Sequence, residues 1–439
     1  MTTSDLIIIG SGPGGYRAAG YAAQNGLKVI IFEAEKAGGT CLNCGCIPTK
    51  ALCHDAETLL LAREELGLTD AKADFLKIAA RKQQVVEQLR SGVETLLASP
   101  GITLVREKAV FMDAHTIVAG GEEYSAPHII IATGSRAKLL PVEGIDGHNV
   151  LTSTELLDID HIPARLCIIG AGVVGMEFAS VFASFGSQVT VVEFMKECLP
   201  NMDSDIAKRL RKCMERRGVK FQLQAGVKKI DGNNVFYDRK GKEEVAEADC
   251  ILVATGRAAN TEGLSLEVAG VETGRGGIIL TDENMQTNVA GVYAIGDVNG
   301  RQMLAHAATF QGFRAVNHIL GKTDNIRFDI MPAAVFTYPE AASVGLTEQQ
   351  CKDSGVAYEC RKGYYRANGK ALATNASEGL VKLLANEQGV IIGCHAYGAH
   401  AADMVQEVST LMNSGTTLQQ LREMIHIHPT LGEILQEMA

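Results

Sequence analysis

The sequence predicts an α/β protein in which one dinucleotide-binding domain is inserted into another and a separate domain follows at the C-terminus. Three observations lead to this prediction. A glycine fingerprint occurs twice, an Ala-Thr-Gly motif occurs twice at a shorter interval, and the pattern changes near residue 327 to short strands and turns. The chain has 439 residues and is 46% hydrophobic, which is enough for several buried cores.

The first fingerprint, G-S-G-P-G-G at residues 10–15, follows an apolar strand predicted over Asp5–Ile9. A helical pattern comes next, and a second predicted strand ends at Glu33. Glycines at these positions allow a tight turn, close approach of a pyrophosphate and packing of helix on strand. The helix N-terminus then supplies N–H groups for the phosphates. The segment therefore predicts a dinucleotide site.

The same pattern returns 160 positions later as G-A-G-V-V-G at residues 170–175, and its second strand ends at Glu193. We expect Glu33 and Glu193 to accept hydrogen bonds from a ribose diol. A carboxylate at Glu193 repels a 2′-phosphate, and no arginine stands at 194–198. The second site is therefore predicted to bind NAD rather than NADP.

The Ala-Thr-Gly motifs at 132–134 and 254–256 lie 122 positions apart, whereas the glycine fingerprints lie 160 positions apart. The second domain therefore has fewer residues between its fingerprint and its Ala-Thr-Gly motif and is the more compact. We predict the first part of the first domain at 1–147, the inserted domain at 148–272, the return of the first domain at 273–326 and the C-terminal domain at 327–439. Helices are predicted in the last domain over 401–414 and 418–424.

The formal net charge of -10 argues against a nucleic-acid footprint. The apolar run before Gly10 is too short for a signal peptide, and Glu177 and several glycines interrupt the most apolar window, so no membrane span is predicted. Most of the 11 cysteines are isolated, which is typical of reduced thiols. A cytoplasmic location is expected.

Cys41, Cys44 and Cys46 lie close together in the segment Gly39–Lys50. In a regular helix, residues five apart are about 8 Å apart, whereas a disulfide requires Cα atoms within about 7 Å. Cys41 and Cys46 can pair only across a distorted turn, and Cys41 and Cys44 fit a helical C-x-x-C motif better. Pro48 favours the first turn of a following helix and leaves 41–46 free to be irregular. The pairing stays open on this basis, while a zinc site is disfavoured because no second ligand pair has zinc-finger spacing.

Two histidines, His426 and His428, stand five to seven positions before Glu433 near the C-terminus. Thiol exchange needs a base, and a histidine oriented by a carboxylate is suited to that role at neutral pH. Taken alone, the segment favours the simpler interpretation of two surface histidines near the C-terminus.

These motifs together resemble the flavin-dependent pyridine nucleotide–disulfide oxidoreductases over essentially the whole chain. The resemblance rests on the segment 39–50, the paired fingerprints, A-I-G-D at 294–297 and H-P-T-L-G-E at 428–433. The run M-L-A-H at 303–306 is typical of members that oxidise dihydrolipoamide. The resemblance implies a flavoprotein that oxidises protein-bound dihydrolipoamide to lipoamide with FAD and NAD. The alternative is an NADH-dependent reductase of another small disulfide.

The resemblance also implies roles for individual residues. Cys41 and Cys46 would form the redox disulfide, with Cys46 facing the flavin and Cys41 exchanging with substrate. The catalytic residues it implies are Cys41, Cys46, Lys50, Glu177, His428 and Glu433. Lys50 would pair with Glu177, and His428, oriented by Glu433, would act across a two-fold dimer interface. Cys44 stands where the family usually has no cysteine, so a Cys41–Cys44 state remains an alternative.

The cofactor residues follow in the same way. For FAD they are Gly10, Gly12, Gly14, Gly15, Glu33, Thr40, Lys50, Ala109, Thr133, Gly134, Ser135, Asp297, Met303, Leu304, Ala305 and His306. For NAD they are Gly170, Gly172, Val173, Val174, Gly175, Glu177, Glu193, Val227 and Gly256. The resemblance implies a homodimer formed through a C-terminal α+β dimerisation domain. It also implies protein partners that carry lipoyl groups. These are the lipoyl domains and acyltransferase core of 2-oxo-acid dehydrogenase complexes, or the lipoyl carrier of glycine cleavage.

Overall fold

The computed structural model describes residues 1–439 and contains thirteen α-helices. In chain order they are α1 (Pro13–Gln24), α2 (Gly39–Cys44), α3 (Cys46–Glu64), α4 (Phe75–Leu97), α5 (Ser153–Leu156), α6 (Val173–Phe185), α7 (Ser204–Arg216), α8 (Ala305–Ile319), α9 (Glu348–Ser354), α10 (Gly369–Ala373), α11 (Ala401–Asn413), α12 (Leu418–Arg422) and α13 (Glu433–Met438). None of them is both long enough and apolar enough to cross a membrane.

The first twelve strands are β1 (Thr2–Thr3), β2 (Leu6–Ile9), β3 (Val29–Phe32), β4 (Ile102–Val105), β5 (Val110–Phe111), β6 (Thr116–Ala119), β7 (Glu122–Ser125), β8 (His128–Ile131), β9 (Ser135–Ala137), β10 (Val150–Leu151), β11 (Arg165–Ile169) and β12 (Gln188–Glu193). The remaining strands are β13 (Lys220–Leu223), β14 (Ala225–Asp231), β15 (Asn234–Arg239), β16 (Lys242–Glu247), β17 (Cys250–Val253), β18 (Arg257–Ala259), β19 (Val292–Ala294), β20 (Ala333–Val335), β21 (Glu340–Gly345), β22 (Glu359–Tyr364), β23 (Leu380–Ala385) and β24 (Ile391–Gly398).

The chain folds into two compact units. The first unit contains residues 1–51, 79–138 and 256–326, and the second unit contains residues 52–78, 139–255 and 327–439.

The central sheet of the first unit is parallel, with strand order β19-β8-β2-β3-β4. All four residues of β2 and of β3 are buried, as expected for strands covered on both faces. This explains why both strands are unbroken apolar runs in the sequence. The helix α1 follows β2 directly and packs against α8. The carboxyl ends of β2, β3 and β8 therefore meet at the edge where the first glycine turn lies.

The second unit contains a parallel sheet of the same type, ordered β10-β17-β11-β12-β13. A small antiparallel sheet, β14-β15-β16, accompanies it. The strand predicted over Leu166–Ile169 is β11, whose last four residues are buried. The helix α6 follows β11 as α1 follows β2. The internal repeat inferred from the sequence is thus a repeat of structure.

The C-terminal part of the second unit is an antiparallel sheet, ordered β20-β21-β24-β23-β22, packed against α11. The two predicted helices are confirmed as α11 and α12. The latter begins with a capping box, in which the side chains of Thr417 and Gln420 satisfy the backbone N–H groups of the first turn.

Candidate active site

Gly45 separates α2 from α3 and breaks the helical path between two of the clustered cysteines. Its backbone angles, φ -142° and ψ -115°, are not helical. A Cβ at this position would lie 2.8 Å from the carbonyl oxygen of Thr40 and 3.2 Å from the Cα of Cys41. Only glycine fits this turn, so the distortion that a Cys41–Cys46 pair requires is built into the chain.

Cys41 and Cys46 are thiols whose side chains contact each other across this turn. The hydrogen bond to the Cys46 side chain, together with burial, raises the pKa of the Cys41 thiol far above its ordinary value. The backbone N–H of Cys46 and the charge of Lys50 act in the opposite direction but more weakly. The structure thus brings together the two thiols that regular helical spacing would keep apart.

Cys46 is the first residue of α3 and is exposed, whereas Cys41 is half-buried in α2. The first turn of a helix carries unpaired N–H groups and the positive end of the helix dipole. Negative charge that develops on the pair is therefore favoured at the Cys46 end. Because the pKa of Cys41 is raised and Cys46 lies at the start of a helix, the two sulfurs have different environments even before any substrate is considered.

Two polar side chains that the sequence analysis missed hold the cysteine segment in place. The Asn43 amide donates to the carbonyl oxygens of Ala37 and Gly39, at 3.0 Å each. Arg90 of α4 donates from Nε to the Asn43 oxygen at 2.8 Å. An asparagine inside a short helical segment flanked by glycines is a signal for such capping, but the identity of its arginine partner depends on the tertiary fold.

The cysteine segment packs directly on the first glycine fingerprint. Gly39 has φ +61°, and a Cβ there would lie 2.6 Å from the Cα of Gly12. The approach of two backbones at this distance leaves no room for a side chain. The start of α2 is thereby held beside the start of α1, which places the thiol pair close to the predicted FAD turn.

The first glycine turn is constrained by two close approaches. Gly10 has φ +101°, and a Cβ there would lie 2.5 Å from the carbonyl oxygen of Ala132, at the end of β8. A Cβ at Gly15 would lie 1.9 Å from the carbonyl oxygen of Gly10. These contacts are the physical reason for two of the three fingerprint glycines.

The second glycine turn repeats the first almost atom for atom. Gly170 has φ +106°, and its Cβ would lie 2.5 Å from the carbonyl oxygen of Ala254. A Cβ at Gly175 would lie 2.0 Å from the carbonyl oxygen of Gly170. Each Ala-Thr-Gly motif supplies an alanine carbonyl oxygen that packs against the first fingerprint glycine. This contact explains why the motif occurs twice in the sequence.

The helices that follow these turns begin without a side-chain cap. Gly12 and Gly172 are the N-cap residues of α1 and α6, and no side chain accepts from the first N–H groups of either helix. Asp203, Thr347 and Thr417, by contrast, cap α7, α9 and α12. The first N–H groups of α1 and α6 are therefore open, and the glycines of the turn in front of them carry no side chains. Such a helix N-terminus is suited to bind a pyrophosphate. Both turns therefore fit the cofactors expected from the sequence.

The acidic residues at the strand ends stabilise these turns by accepting hydrogen bonds from them. Glu33 accepts from the Ser11 backbone N–H at 3.0 Å and from the Ser11 hydroxyl at 2.6 Å. Glu193 accepts from the backbone N–H groups of Ala171, at 2.5 Å, and of Met195, at 2.6 Å. The sequence pattern predicts only a ribose contact at these carboxylates. Each carboxylate oxygen has two lone pairs, so bracing the turn leaves capacity for the diol.

Asp297 lies three residues after β19, in a 3₁₀ turn, and belongs to a polar network of the first unit. The Ser135 hydroxyl donates to its Oδ2, and Arg257 lies 3.6 Å from the same oxygen. Arg257 also donates to the Ser135 hydroxyl and carbonyl oxygens, at 2.6 Å each. Gln311 accepts from the N–H of the preceding Gly296 at 2.7 Å. Asp297 and Ser135 are predicted from the sequence, whereas Arg257 and Gln311 are identified only by their contacts in the structure.

The other FAD candidates also lie in the first unit. Thr133 donates to the carbonyl oxygen of Asn260 at 2.7 Å, and Ala109 is buried just before β5. Met303 and Leu304 directly precede α8, which begins without a side-chain cap, and Ala305 and His306 are its first residues. The remaining FAD candidates are Gly14 in α1, Thr40 in α2, Lys50 in α3 and Gly134 between β8 and β9.

The NAD candidates from Gly170 to Glu193 belong to the second unit, as does Val227, whereas Gly256 belongs to the first. Val173 and Val174 form the first turn of α6. Glu177 of the same helix is 3% exposed, and its carboxylate accepts from the backbone N–H of Phe336 at 2.9 Å. Lys50, its expected partner, belongs to the first unit.

The structure distinguishes the two C-terminal histidines. His426 uses both ring nitrogens, Nδ1 with the Met424 carbonyl oxygen at 3.1 Å and Nε2 with Glu407 at 2.8 Å. His428 uses only Nδ1, 2.9 Å from Glu433 Oε1, and its side chain is 80% exposed. The backbone N–H of Thr430 and the His428 ring hold the pKa of Glu433 below its ordinary value. Because Nε2 of His428 has no partner, that nitrogen is available for proton transfer.

Comparison with known proteins agrees with this geometry. A family model for pyridine nucleotide-disulphide oxidoreductases matches residues 4–312, and the model for the dimerisation domain of the same family matches residues 331–439. The chain is 41% identical to a dihydrolipoyl dehydrogenase of Thermus scotoductus, over 100% of this chain and 97% of the relative. It is 39% identical to the mitochondrial dihydrolipoyl dehydrogenase 2 of Arabidopsis thaliana, over 99% and 90%.

Among solved structures, LpdA from Mycobacterium tuberculosis superposes with a TM-score of 0.92 at 28% identity, covering 100% of this chain and 99% of the other. The predicted fold class, with Rossmann-type nucleotide-binding domains and a C-terminal dimerisation domain, is confirmed. The chain belongs to the pyridine nucleotide-disulphide oxidoreductase family.

Proposed function

We propose that this protein is a dihydrolipoyl dehydrogenase, which oxidises protein-bound dihydrolipoamide to lipoamide and reduces NAD. The observation that carries the proposal is the contact between the Cys41 and Cys46 sulfurs in a segment packed on a glycine turn. The relatives that are 38–41% identical over nearly the whole chain include dihydrolipoyl dehydrogenases of plants and bacteria. They favour this function over NADH-dependent reduction of another small disulfide.

FAD and NAD are the cofactors that membership of this family implies. In our proposal the first glycine turn, Glu33 and the network around Asp297 hold FAD, and the second turn and Glu193 hold NAD. When bound, FAD supplies the route by which an electron pair leaves the reduced thiol pair and reaches the nicotinamide. The chain's own residues bind and orient the two cofactors and control the protons.

The sulfur chemistry begins with Cys41 and Cys46 joined as a disulfide. A substrate thiolate attacks the Cys41 sulfur, so that a mixed disulfide forms and Cys46 leaves as a thiolate. The second substrate thiolate then displaces Cys41, which releases lipoamide and leaves both cysteines reduced. Two electrons have passed from the substrate to the cysteine pair. In the reduced pair, the hydrogen bond to Cys46 and burial raise the pKa of Cys41, and the first turn of α3 favours negative charge at the Cys46 end.

His428 takes the proton from the attacking substrate thiol in this scheme. Its Nδ1 bond to Glu433 sets the tautomer with the hydrogen on Nδ1, which leaves the lone pair on Nε2. Exposure of the ring leaves Nε2 accessible to a substrate that arrives from outside the protomer. We propose that His428 of one protomer acts on substrate bound at the partner subunit's Cys41.

The dimerisation domain supports a homodimer as the working unit. The lipoyl domains and acyltransferase core of a 2-oxo-acid dehydrogenase complex, or the lipoyl carrier of glycine cleavage, are the partners that we propose. The domain boundaries at 147, 272 and 326 and the cytoplasmic location are likewise proposals from the sequence.

Turnover of the purified protein tests the function. We expect NADH formation from dihydrolipoamide and NAD to be faster than oxidation of NADH by glutathione disulfide. Cys46→Ser should keep FAD bound but abolish dihydrolipoamide oxidation, whereas the matched variant Cys44→Ser should keep both FAD and turnover. Preference for glutathione disulfide, or turnover in Cys46→Ser, contradicts the proposal.

A further inference from the structure

A concave basic surface on α7 lies apart from the residues assigned above. A cavity of about 290 Å³ is lined by Asp205, Lys208, Arg209, Lys212, Arg216, Glu378 and Tyr397. We call it the α7 pocket; all of its residues belong to the second unit. Four cationic side chains face two carboxylates in it, although the whole chain has a net charge of -10. A local positive excess of this kind attracts anions.

Both carboxylates of the α7 pocket are already occupied. Asp205 accepts from Nε of Arg209 at 2.8 Å. Glu378 accepts from Nη2 of Arg216 at 2.8 Å and from the hydroxyl of Tyr397 at 2.6 Å. Tyr397 is 4% exposed, so it forms a fixed wall rather than a mobile rim. The two arginines are thereby oriented, and no carboxylate is left to neutralise the lysines.

Lys208 and Lys212 are exposed and take part in no ion pair or side-chain hydrogen bond. They lie four residues apart on α7, with Arg216 four residues further on, so three cations share one row of the helix. Like charges at this spacing destabilise a helix. In a neighbouring row, α7 instead pairs opposite charges, Arg211 with Glu215 at 2.6 Å. The row of cations that faces the cavity has no such carboxylate partner for its two lysines. An anion bound in the cavity would supply the missing negative charge.

From this arrangement we propose that the α7 pocket binds an anion that carries two or more adjacent phosphate groups. Cβ atoms four residues apart on a helix are about 5–6 Å apart, so Lys208 and Lys212 can each contact a different phosphate of one ligand. The cavity is close to the lower end of the usual range for small-molecule sites, about 300 Å³. Its size and concave shape suit a compact polyphosphate rather than the surface of another protein.

Calorimetric titration of the FAD-loaded enzyme with tripolyphosphate tests the proposal. NAD is present at saturation, so that the glycine turn of the second unit is already occupied. We expect one site per chain, with affinity that falls as salt is added. Lys208→Ala with Lys212→Ala should weaken binding about 10- to 100-fold, because two charge-assisted contacts are lost. Dihydrolipoamide turnover without tripolyphosphate should not change.

The control is Lys220→Ala with Lys242→Ala, which removes the same charge from exposed strand positions of the same unit. Full affinity in this control supports the site, and an equal loss in both double variants overturns it in favour of nonspecific attraction. No binding to the unmodified enzyme, or equally tight binding of citrate, also overturns it. ADP, used beside tripolyphosphate, identifies the source: tighter binding of ADP indicates a nucleotide, and tighter binding of tripolyphosphate indicates a free polyphosphate.

Discussion

Glu433 accepts a hydrogen bond from Nδ1 of His428 at 2.9 Å and leaves the other ring nitrogen without a partner. Two residues earlier, His426 has both ring nitrogens engaged, with Glu407 and with a backbone carbonyl. The two imidazoles are thus equivalent in sequence but not in chemistry. Only His428 combines a fixed tautomer with an accessible basic nitrogen.

Glu433→Gln should lower kcat for dihydrolipoamide oxidation about 10- to 1000-fold. Glu433 accepts with both oxygens, from His428 and from the backbone N–H of Thr430 at 2.8 Å. The Thr430 N–H can only donate, so the single glutamine oxygen is required there; the amide NH2 then faces Nδ1 of His428 and favours the tautomer with the hydrogen on Nε2. Steady-state kinetics with the FAD content measured in parallel checks this. Glu407→Gln, which alters the neighbouring pair, is the control and should leave kcat nearly unchanged; equal losses in both variants would contradict the assignment of His428.

In the reduced protein from which FAD has been removed, iodoacetamide should alkylate Cys46, which is exposed, faster than the half-buried Cys41 at neutral pH. The thiolate is the reactive form, and the hydrogen bond to Cys46 together with burial raises the pKa of Cys41. The rate at Cys41 should therefore keep rising with pH beyond the range in which an ordinary cysteine has levelled off. Because the charge of Lys50 lowers the pKa of Cys41, Lys50→Gln should slow its alkylation further.

Mass spectrometry of the two alkylated peptides gives both rates in one experiment. Lys36→Gln, at an exposed position before the cysteine segment, is the matched control and should have little effect. Faster alkylation of Cys41 than of Cys46 would be incompatible with the hydrogen-bonded arrangement described above.

Gly10→Ala should abolish FAD retention, whereas Gly26→Ala should not. Both glycines have positive φ, +101° and +89°. A Cβ at Gly10 would lie 2.5 Å from the Ala132 carbonyl oxygen, but a Cβ at Gly26 meets nothing within 4 Å. The second variant incurs only the left-handed strain of about 1–2 kcal/mol. The flavin-to-protein absorbance ratio after gel filtration measures the outcome, and equal FAD loss in both would show that strain alone, not the close contact, is decisive.

Lys382→Met should destabilise the protein by about 3–5 kcal/mol, because it leaves a buried carboxylate without its cation. Nζ of Lys382 lies 2.7 Å from Oδ2 of Asp203, and the two side chains are 2% and 3% exposed. Arg327→Met, which removes the surface partner of Asp329, should cost less than about 1 kcal/mol. Urea unfolding curves compare the two.

Adding Asp203→Asn to Lys382→Met should recover part of the lost stability. Asparagine keeps the N-cap of α7 but removes the unpaired charge. If the double variant is no more stable than Lys382→Met, the buried charge is not the source of the destabilisation.

Much of the fold could be predicted because its signals are local. The strands β2 and β11 are apolar runs that lead into glycine turns, α11 has an apolar face at helical spacing, and α12 begins with a capping box. The repeat 160 positions later could be recognised for the same reason. What local patterns could not supply were the partners from distant parts of the chain. Arg257 reaches Ser135 across 122 positions, and Arg90 reaches Asn43 across 47.

By itself, the sequence determined the two glycine turns, their acidic strand ends and the presence of a cysteine cluster, since each depends on residues close together in the chain. Helical spacing left the cysteine pairing open, because it describes a regular helix and the cluster does not form one; only the family resemblance implied the Cys41–Cys46 pair and the role of His428. The tertiary structure decided the geometry of the cluster: the non-helical turn at Gly45 interrupts the helix, and the Cys41 and Cys46 thiols lie in contact across it. It also gave the imidazoles of His426 and His428 different hydrogen-bond partners, and these partners, not the residue type, determine which ring nitrogen is left open to accept a proton.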